Sequence, residues 1–381
     1  MARTMVIEPE CKRLYLAGQW PKDKPIDWHW EGEPDPEPIL IPEQKPPDPE
    51  PEPEPPVDNR CDPPGLDDVI GNAAAVRWIR VVLDAFRADV AKLDGRTKQA
   101  QSLPFPHTLW AGPAGVGKTT MAQIIAREIK RPIHFEMGQS LTSPARVGDV
   151  LMSLKGGDIL FIDEIHGSRG PVQETLYRAM EDGIYVPVLK AGAAVVDPVR
   201  LPPFTVMGAT TDEWGLLPPL LQRFKVHMRL ERLTADELAR AMLDRAKRQG
   251  WELTEEAAGM IGTRSHGTPR KAITLLDGCI AMAKASKGTV IDYSIVTLTC
   301  ELLEIDSLGL DAVSRKYLGY LADGGGDPVR LNVLATRLDG LSRLTVERRI
   351  EPDLVHLGLV EKGMNGRRLT AEGKKYLQKD K

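Results

Sequence analysis

The sequence predicts an α/β core on a parallel sheet, then a small helical lid, then a C-terminal winged helix. Three observations predict it. Two apolar runs, His107-Thr108-Leu109-Trp110-Ala111 and Asp158-Ile159-Leu160-Phe161-Ile162, end abruptly in glycine or carboxylates, as buried parallel strands do. From Leu233 to about residue 306 the apolar spacing becomes helical. From about Leu308 three helical stretches, 311–323, 329–338 and 344–357, precede a hairpin signal at Asn365-Gly366.

The first run leads into Gly112-Pro113-Ala114-Gly115-Val116-Gly117-Lys118-Thr119-Thr120 and then a helix with an apolar face. Strand, glycine loop and helix together are the setting of a phosphate-binding P-loop. Glycines let backbone N–H groups turn inward on phosphate oxygens, and the helix N-terminus faces the same anion. Lys118 reaches the β- and γ-phosphates, and the Thr119 hydroxyl can hold Mg²⁺. The expected cofactors are therefore ATP and Mg²⁺. The second run ends in Asp163-Glu164, about 45 residues downstream. Asp163 is placed to hold Mg²⁺ and Glu164 to orient the attacking water. His166 is assigned no chemistry.

Composition excludes several classes. Hydrophobic residues are 42% and charged residues 27% of 381, ordinary for a globular protein. No run of about 18 apolar residues and no N-terminal apolar segment occurs, so a membrane span and secretion are not expected. Four scattered cysteines without a Cys-x-x-Cys argue against a zinc site or disulfide framework and fit a reducing cytoplasm.

The net charge of −4 is uneven. Residues 1–60 carry 14 acids against 7 Lys and Arg, while residues 362–381 carry 7 Lys and Arg against 2 acids. A basic end suits either a polyanion partner or plain solvation. Residues 31–56 alternate Pro with Glu and Asp, which removes donors and repels, so 1–59 is expected to be a disordered leader.

The core is expected over 60–230, the lid over 231–306 and the winged helix over 307–381. Ile184 to Leu189 and Ala193 to Val196 suggest a hairpin, either a partner surface or packed on its own domain. Thr234-Ala235-Asp236-Glu237 reads as a capping box. Winged helices bind DNA or protein. On the DNA reading, Arg367 and Arg368 at the wing grip phosphates.

These strings together resemble the RuvB family of AAA+ motors over residues 60–381. The resemblance rests on Gly112 to Thr120, Asp163-Glu164-Ile165-His166, Leu176-Tyr177-Arg178-Ala179-Met180-Glu181-Asp182, Leu201-Pro202-Pro203-Phe204, Gly208-Ala209-Thr210-Thr211, Gly267-Thr268-Pro269-Arg270 and Gly324-Gly325-Gly326-Asp327-Pro328-Val329. It implies an AAA+ P-loop NTPase that moves duplex DNA during Holliday-junction branch migration, as a homo-oligomer, a hexameric ring. It implies Thr210 as sensor 1, Arg223 as an arginine finger presented to a neighbouring subunit, and Arg270 as sensor 2. Val69 and Ile70 match a segment beside the adenine, and Pro113, Val116 and Thr120 complete the nucleotide contacts. Hairpin 184–200 stands where the family docks a RuvA-like partner. Asp212 and Leu233 replace an arginine and an aromatic of the family pattern. Two other classes stay open: an AAA+ remodeller or loader acting on a protein complex, and a non-hydrolysing scaffold. Intact Glu164 and Arg223 argue against the scaffold.

Overall fold

The computed structural model describes residues 5–7, 28–30, 62–93, 96–187 and 197–379. Two units are present, 1–58 and 59–381. In the first, Met5–Ile7 pairs antiparallel with Trp28–Trp30. The rest of the leader expected to be disordered lies outside the described residues.

The second unit holds a five-stranded parallel sheet. Its strands are β1 (Thr108–Ala111), β2 (Ile133–Met137), β3 (Ile159–Asp163), β4 (Thr205–Thr210) and β5 (Val226–Arg229), in the order β2-β3-β4-β1-β5. Alternate residues of one strand feed opposite faces. Trp110, Phe161, Met207 and Ala209 pack under α1 (Ala73–Ala91) and α2 (Lys118–Glu128). Leu109, Leu160, Ile162 and Val206 pack with α3 (Pro144–Ser153), α4 (Gly170–Asp182) and α5 (Pro218–Arg223). Burial on both faces is why these strands read as unbroken apolar runs. With β4 between β1 and β3, the P-loop and the carboxylate pair leave the same sheet edge with a third strand end between them.

The hairpin expected over 184–200 has a paired base. Its base pairs Ile184 with Arg200 and Tyr185 with Val199. The expected second strand, 193–196, lies outside the described residues.

The lid is four helices, α6 (Ala235–Arg248), α7 (Glu255–Arg264), α8 (Pro269–Ala285) and α9 (Tyr293–Leu302), closed over their own apolar cluster. The capping box forms: Thr234 Oγ1 accepts from Glu237 N, and Glu237 Oε2 accepts from Thr234 N at 2.8 Å.

The winged helix contains α10 (Ala312–Asp323), α11 (Leu331–Arg337), α12 (343–356) and α13 (Ala371–Lys379). Between α12 and α13 run the wing strands β6 (Val360–Gly363) and β7 (Gly366–Leu369). Val346–Ile350, inside α12, is wound as a π-helix. The wider winding falls just ahead of Pro352, whose ring would otherwise press on the Arg348 carbonyl.

The wing turn is Met364-Asn365, one residue earlier than expected, with Gly363 paired to Gly366. Gly366 is required by close approach: at φ +144°, a Cβ there would lie 2.5 Å from the Val329 carbonyl oxygen.

Beneath the wing sits a buried carboxylate. Glu351 is fully buried and accepts from Tyr317 Oη at 2.9 Å and Arg367 Nε at 2.8 Å, with Lys362 Nζ at 2.6 Å. Burial pushes its carboxyl up, but the bonds from Arg367, Lys362 and Tyr317 outweigh burial and hold it below the usual range. A depressed carboxyl contributes stability above its unfolded pKa and loses that contribution as pH falls through its folded pKa. Glu351→Gln leaves two cations facing a neutral group and should weaken the winged helix by about 3–5 kcal/mol at neutral pH. Hydrogen exchange of the 312–379 amides measures it. The gap between variant and wild type should narrow on acidification.

Candidate active site

The P-loop and its partners meet at the carboxyl ends of β1, β3 and β4. A cleft of about 770 Å³ is lined by Gly115, Gly117, Lys118, Thr119, Asp163, Glu164 and Arg270, among others. Three glycines take positive φ: Gly112 at +142°, Gly115 at +77° and Gly117 at +101°. A Cβ on Gly112 would sit 2.2 Å from the Leu230 carbonyl oxygen, so no other residue fits there. Lys118 is 6% exposed, and its Nζ donates to the Gly112 and Pro113 carbonyls at 2.8 and 2.9 Å. Burial lowers its pKa, opposed by the nearby Glu164 and Asp163 carboxylates. The ammonium is thus held at the centre of the loop.

Glu164 takes a left-handed conformation, φ 47°, uncommon for a residue with a side chain. Its amide donates to Asp163 Oδ1 at 2.9 Å. Its Oε2 accepts from Thr211 Oγ1 at 3.0 Å and lies 3.2 Å from His166 Nδ1. The structure redirects the sensor 1 expectation. Thr210 is fully buried, and its hydroxyl is spent on the Asp212 backbone, donating to O at 2.8 Å and accepting from N at 3.0 Å. The hydroxyl that meets Glu164 belongs to Thr211. His166, assigned no chemistry from sequence, links the two, with Nδ1 3.0 Å from Thr210 Oγ1. The strand period of two separates adjacent threonines onto opposite faces, but only the fold tells which face Glu164 occupies.

Beside this cleft lies a second cavity, also about 770 Å³, lined by Val69, Ile70, Val116, Leu230, Leu233 and Met242. Gly117, Thr120, Pro269 and Ile273 line both. The first surrounds the P-loop; the second has an apolar wall, with Asp62, Asp68, Asp244, Arg245 and Arg248 also lining it. Arg223 lines neither. It sits at the end of α5, where Nη2 donates to Glu181 Oε2 at 2.5 Å and Nε is buried without a partner.

Thr119 and Asp163 suit Mg²⁺ chemically. A hydroxyl and a carboxylate facing one cleft are hard oxygen donors for a small divalent ion.

The two wing arginines have different places. Arg367 is half-sequestered by Glu351 and also lies 3.5 Å from Glu347. Its side chain is 15% exposed, against 56% for Arg368, which meets only the exposed Glu361. The Arg367 guanidinium thus already faces a buried charge, while Arg368 is the more exposed of the two.

A parallel P-loop sheet, a helical lid over the nucleotide cleft and a C-terminal winged helix define a AAA+ ATPase with an appended winged helix. The model of the Holliday junction DNA helicase RuvB P-loop domain matches residues 62–230, and that of the RuvB C-terminal winged helix domain matches 307–378. The Holliday junction branch migration complex subunit RuvB of Paramagnetospirillum magneticum is 35% identical over 317 residues, 83% of this chain and 88% of that protein. Its Corynebacterium aurimucosum counterpart is 36% identical over 84% of this chain and 86% of that one. The solved Thermotoga maritima RuvB Holliday junction branch migration motor superposes with a TM-score of 0.70, at 35% identity, over 84% of this chain and 98% of that one. The chain belongs to the RuvB family and is an ATP-hydrolysing enzyme. Among the described residues, no helix is long and apolar enough to cross a membrane.

Proposed function

We propose that this chain is an ATP-driven DNA translocase of the RuvB type, moving duplex DNA through a four-way junction as a ring of identical subunits, six in number. The observation that carries this reading is one cleft shared by Lys118, Thr119, Asp163, Glu164 and Arg270 on a chain that ends in a winged helix. The curated relatives are named as subunits of a branch migration complex, which supports DNA as the cargo. A RuvA-like protein at hairpin 184–200 and a cytoplasmic setting follow from the same kinship.

In this reading the P-loop amides and Lys118 hold the β- and γ-phosphates, and the cavity with Val69 and Ile70 takes the adenine. Thr119 and Asp163 would hold Mg²⁺, which would supply charge neutralisation for phosphoryl transfer. Glu164 orients the attacking water, with Thr211 and His166 fixing its carboxylate. Arg270 approaches the phosphates from the lid, and Arg223 reaches the site of the next subunit.

On the DNA side, Arg368 is the wing contact, and Arg343 and Arg348, exposed on α12, add positive charge. ATP hydrolysis should rise with a four-way junction and less with linear duplex. Hydrolysis indifferent to DNA but raised by a protein partner would favour the remodeller reading instead. Arg368→Ala should weaken DNA binding alike on all sequences and reduce the salt slope by about 0.9. Anisotropy titrations at several salt concentrations read this, and overlap with wild type would remove Arg368 from the interface.

A further inference from the structure

One carboxylate ties all three folded parts together. Asp353, on the second half of α12, is almost buried. Its Oδ1 accepts from Arg232 Nη1 at 3.0 Å, and its Oδ2 from Lys271 Nζ at 2.5 Å. Arg232 lies in the strap that joins β5 to the lid. The same Nη1 lies 2.7 Å from the His266 carbonyl oxygen and 3.0 Å from Thr268 Oγ1. Lys271 Nζ also lies 3.2 Å from His266 Nδ1, and His266 Nε2 donates to the Leu308 carbonyl, at the entry to the winged helix, at 2.6 Å.

The other end of this cluster is the nucleotide cleft. The Arg270 amide donates to the Gly115 carbonyl of the P-loop at 3.3 Å. A Cβ on Gly115 would lie 2.8 Å from Thr268 Cγ2 and 3.0 Å from Arg270 Cβ, so loop and helix start are packed without slack. The start of the strap abuts the loop too, through Leu230 against Gly112. Any movement of the P-loop or of Arg270 on nucleotide binding therefore reaches residues 266–271 and the strap directly. Asp353 holds both to the winged helix.

We propose that Asp353 is a positioning residue that couples nucleotide state to DNA affinity, by locking α12 to the strap and to the N-terminal end of α8. The proposal rests on the reading above that the cleft takes ATP and the winged helix DNA. Asp353 touches neither ligand; it acts by making the two sites share one arrangement. Linkage then requires that nucleotide change DNA affinity by the same factor that DNA changes nucleotide affinity.

The test measures DNA affinity of the full chain by fluorescence anisotropy, with ADP and with a non-hydrolysable ATP analogue. The wild-type ratio of the two affinities should fall in the range of about 5–150 typical of coupled sites. Asp353→Asn keeps the shape and removes the charge. It should bring the ratio toward unity and abolish DNA stimulation of turnover, while each ligand alone still binds. Lys271→Met, which leaves Asp353 its Arg232 partner, should lower the ratio part of the way, and it serves if the asparagine variant does not fold. A purely structural role would lower the melting temperature and leave the ratio as in wild type. Variants with the wild-type ratio overturn this inference alone. A wild-type chain that binds no DNA overturns the functional reading, and this inference with it.

Discussion

Glu164→Gln should bind ATP as wild type does and turn it over about 10²–10⁴ times more slowly, the range a positioned general base contributes. The amide keeps the size of the carboxylate and can still meet Thr211, so the pocket should stay intact; what is lost is the negative charge that orients and polarises water. Lys118→Ala is the contrasting case. It deletes the ammonium held by Gly112 and Pro113, so nucleotide binding itself should fail. Filter binding with labelled ATP, beside single-turnover hydrolysis, separates the two. Wild-type turnover in the glutamine variant would sink the assignment of Glu164 and move attention to His166 and Thr211, its immediate neighbours.

Arg223→Ala should lower turnover by about 10³–10⁵ without weakening ATP binding, since an arginine finger stabilises charge that develops only in the transition state. Within the chain Arg223 lines neither nucleotide cavity and rests on Glu181. If it serves the neighbour, two inactive proteins should complement each other. Mixing Arg223→Ala with Glu164→Gln subunits places some intact fingers beside some intact carboxylates, and those interfaces should hydrolyse ATP. Mixed assemblies shown by mass spectrometry to form, yet inert, would count against a shared site.

The nucleotide site was largely legible in the sequence because its chemistry is local. A glycine loop between an apolar strand and a helix writes its phosphate contacts into nine consecutive residues, Gly112 to Thr120. The carboxylate pair sits at the end of one strand. What was not legible depends on partners far away in the chain. Arg367 reads as a free wing arginine until Glu351, 16 residues earlier on another element, is seen to take its charge. Asp353 carries no motif, and its partners lie 121 and 82 residues away. The choice between Thr210 and Thr211 turned on which face of β4 meets Glu164.

The π-wound segment of α12 has a consequence for how this protein can change over time. An ordinary helix advances about 100° per residue, and the wider turn at Val346–Ile350 takes up one residue more than its length needs. The surplus residue is absorbed locally, so the two halves of the helix keep the facing they would have without it. Arg343 precedes the wide turn, Arg348 lies within it, and Asp353 after it meets Arg232 of the strap and Lys271 of the lid. Loss of a single residue inside 346–350 would close the wide turn into an ordinary one and leave Asp353 facing Arg232 and Lys271, whereas loss of Pro352, beyond it, would swing Asp353 away from them by about 100°. Spacing therefore carries different information along this one helix: the wide turn can give up a residue with the facing of its neighbours kept, and the regular stretch that bears Asp353 cannot.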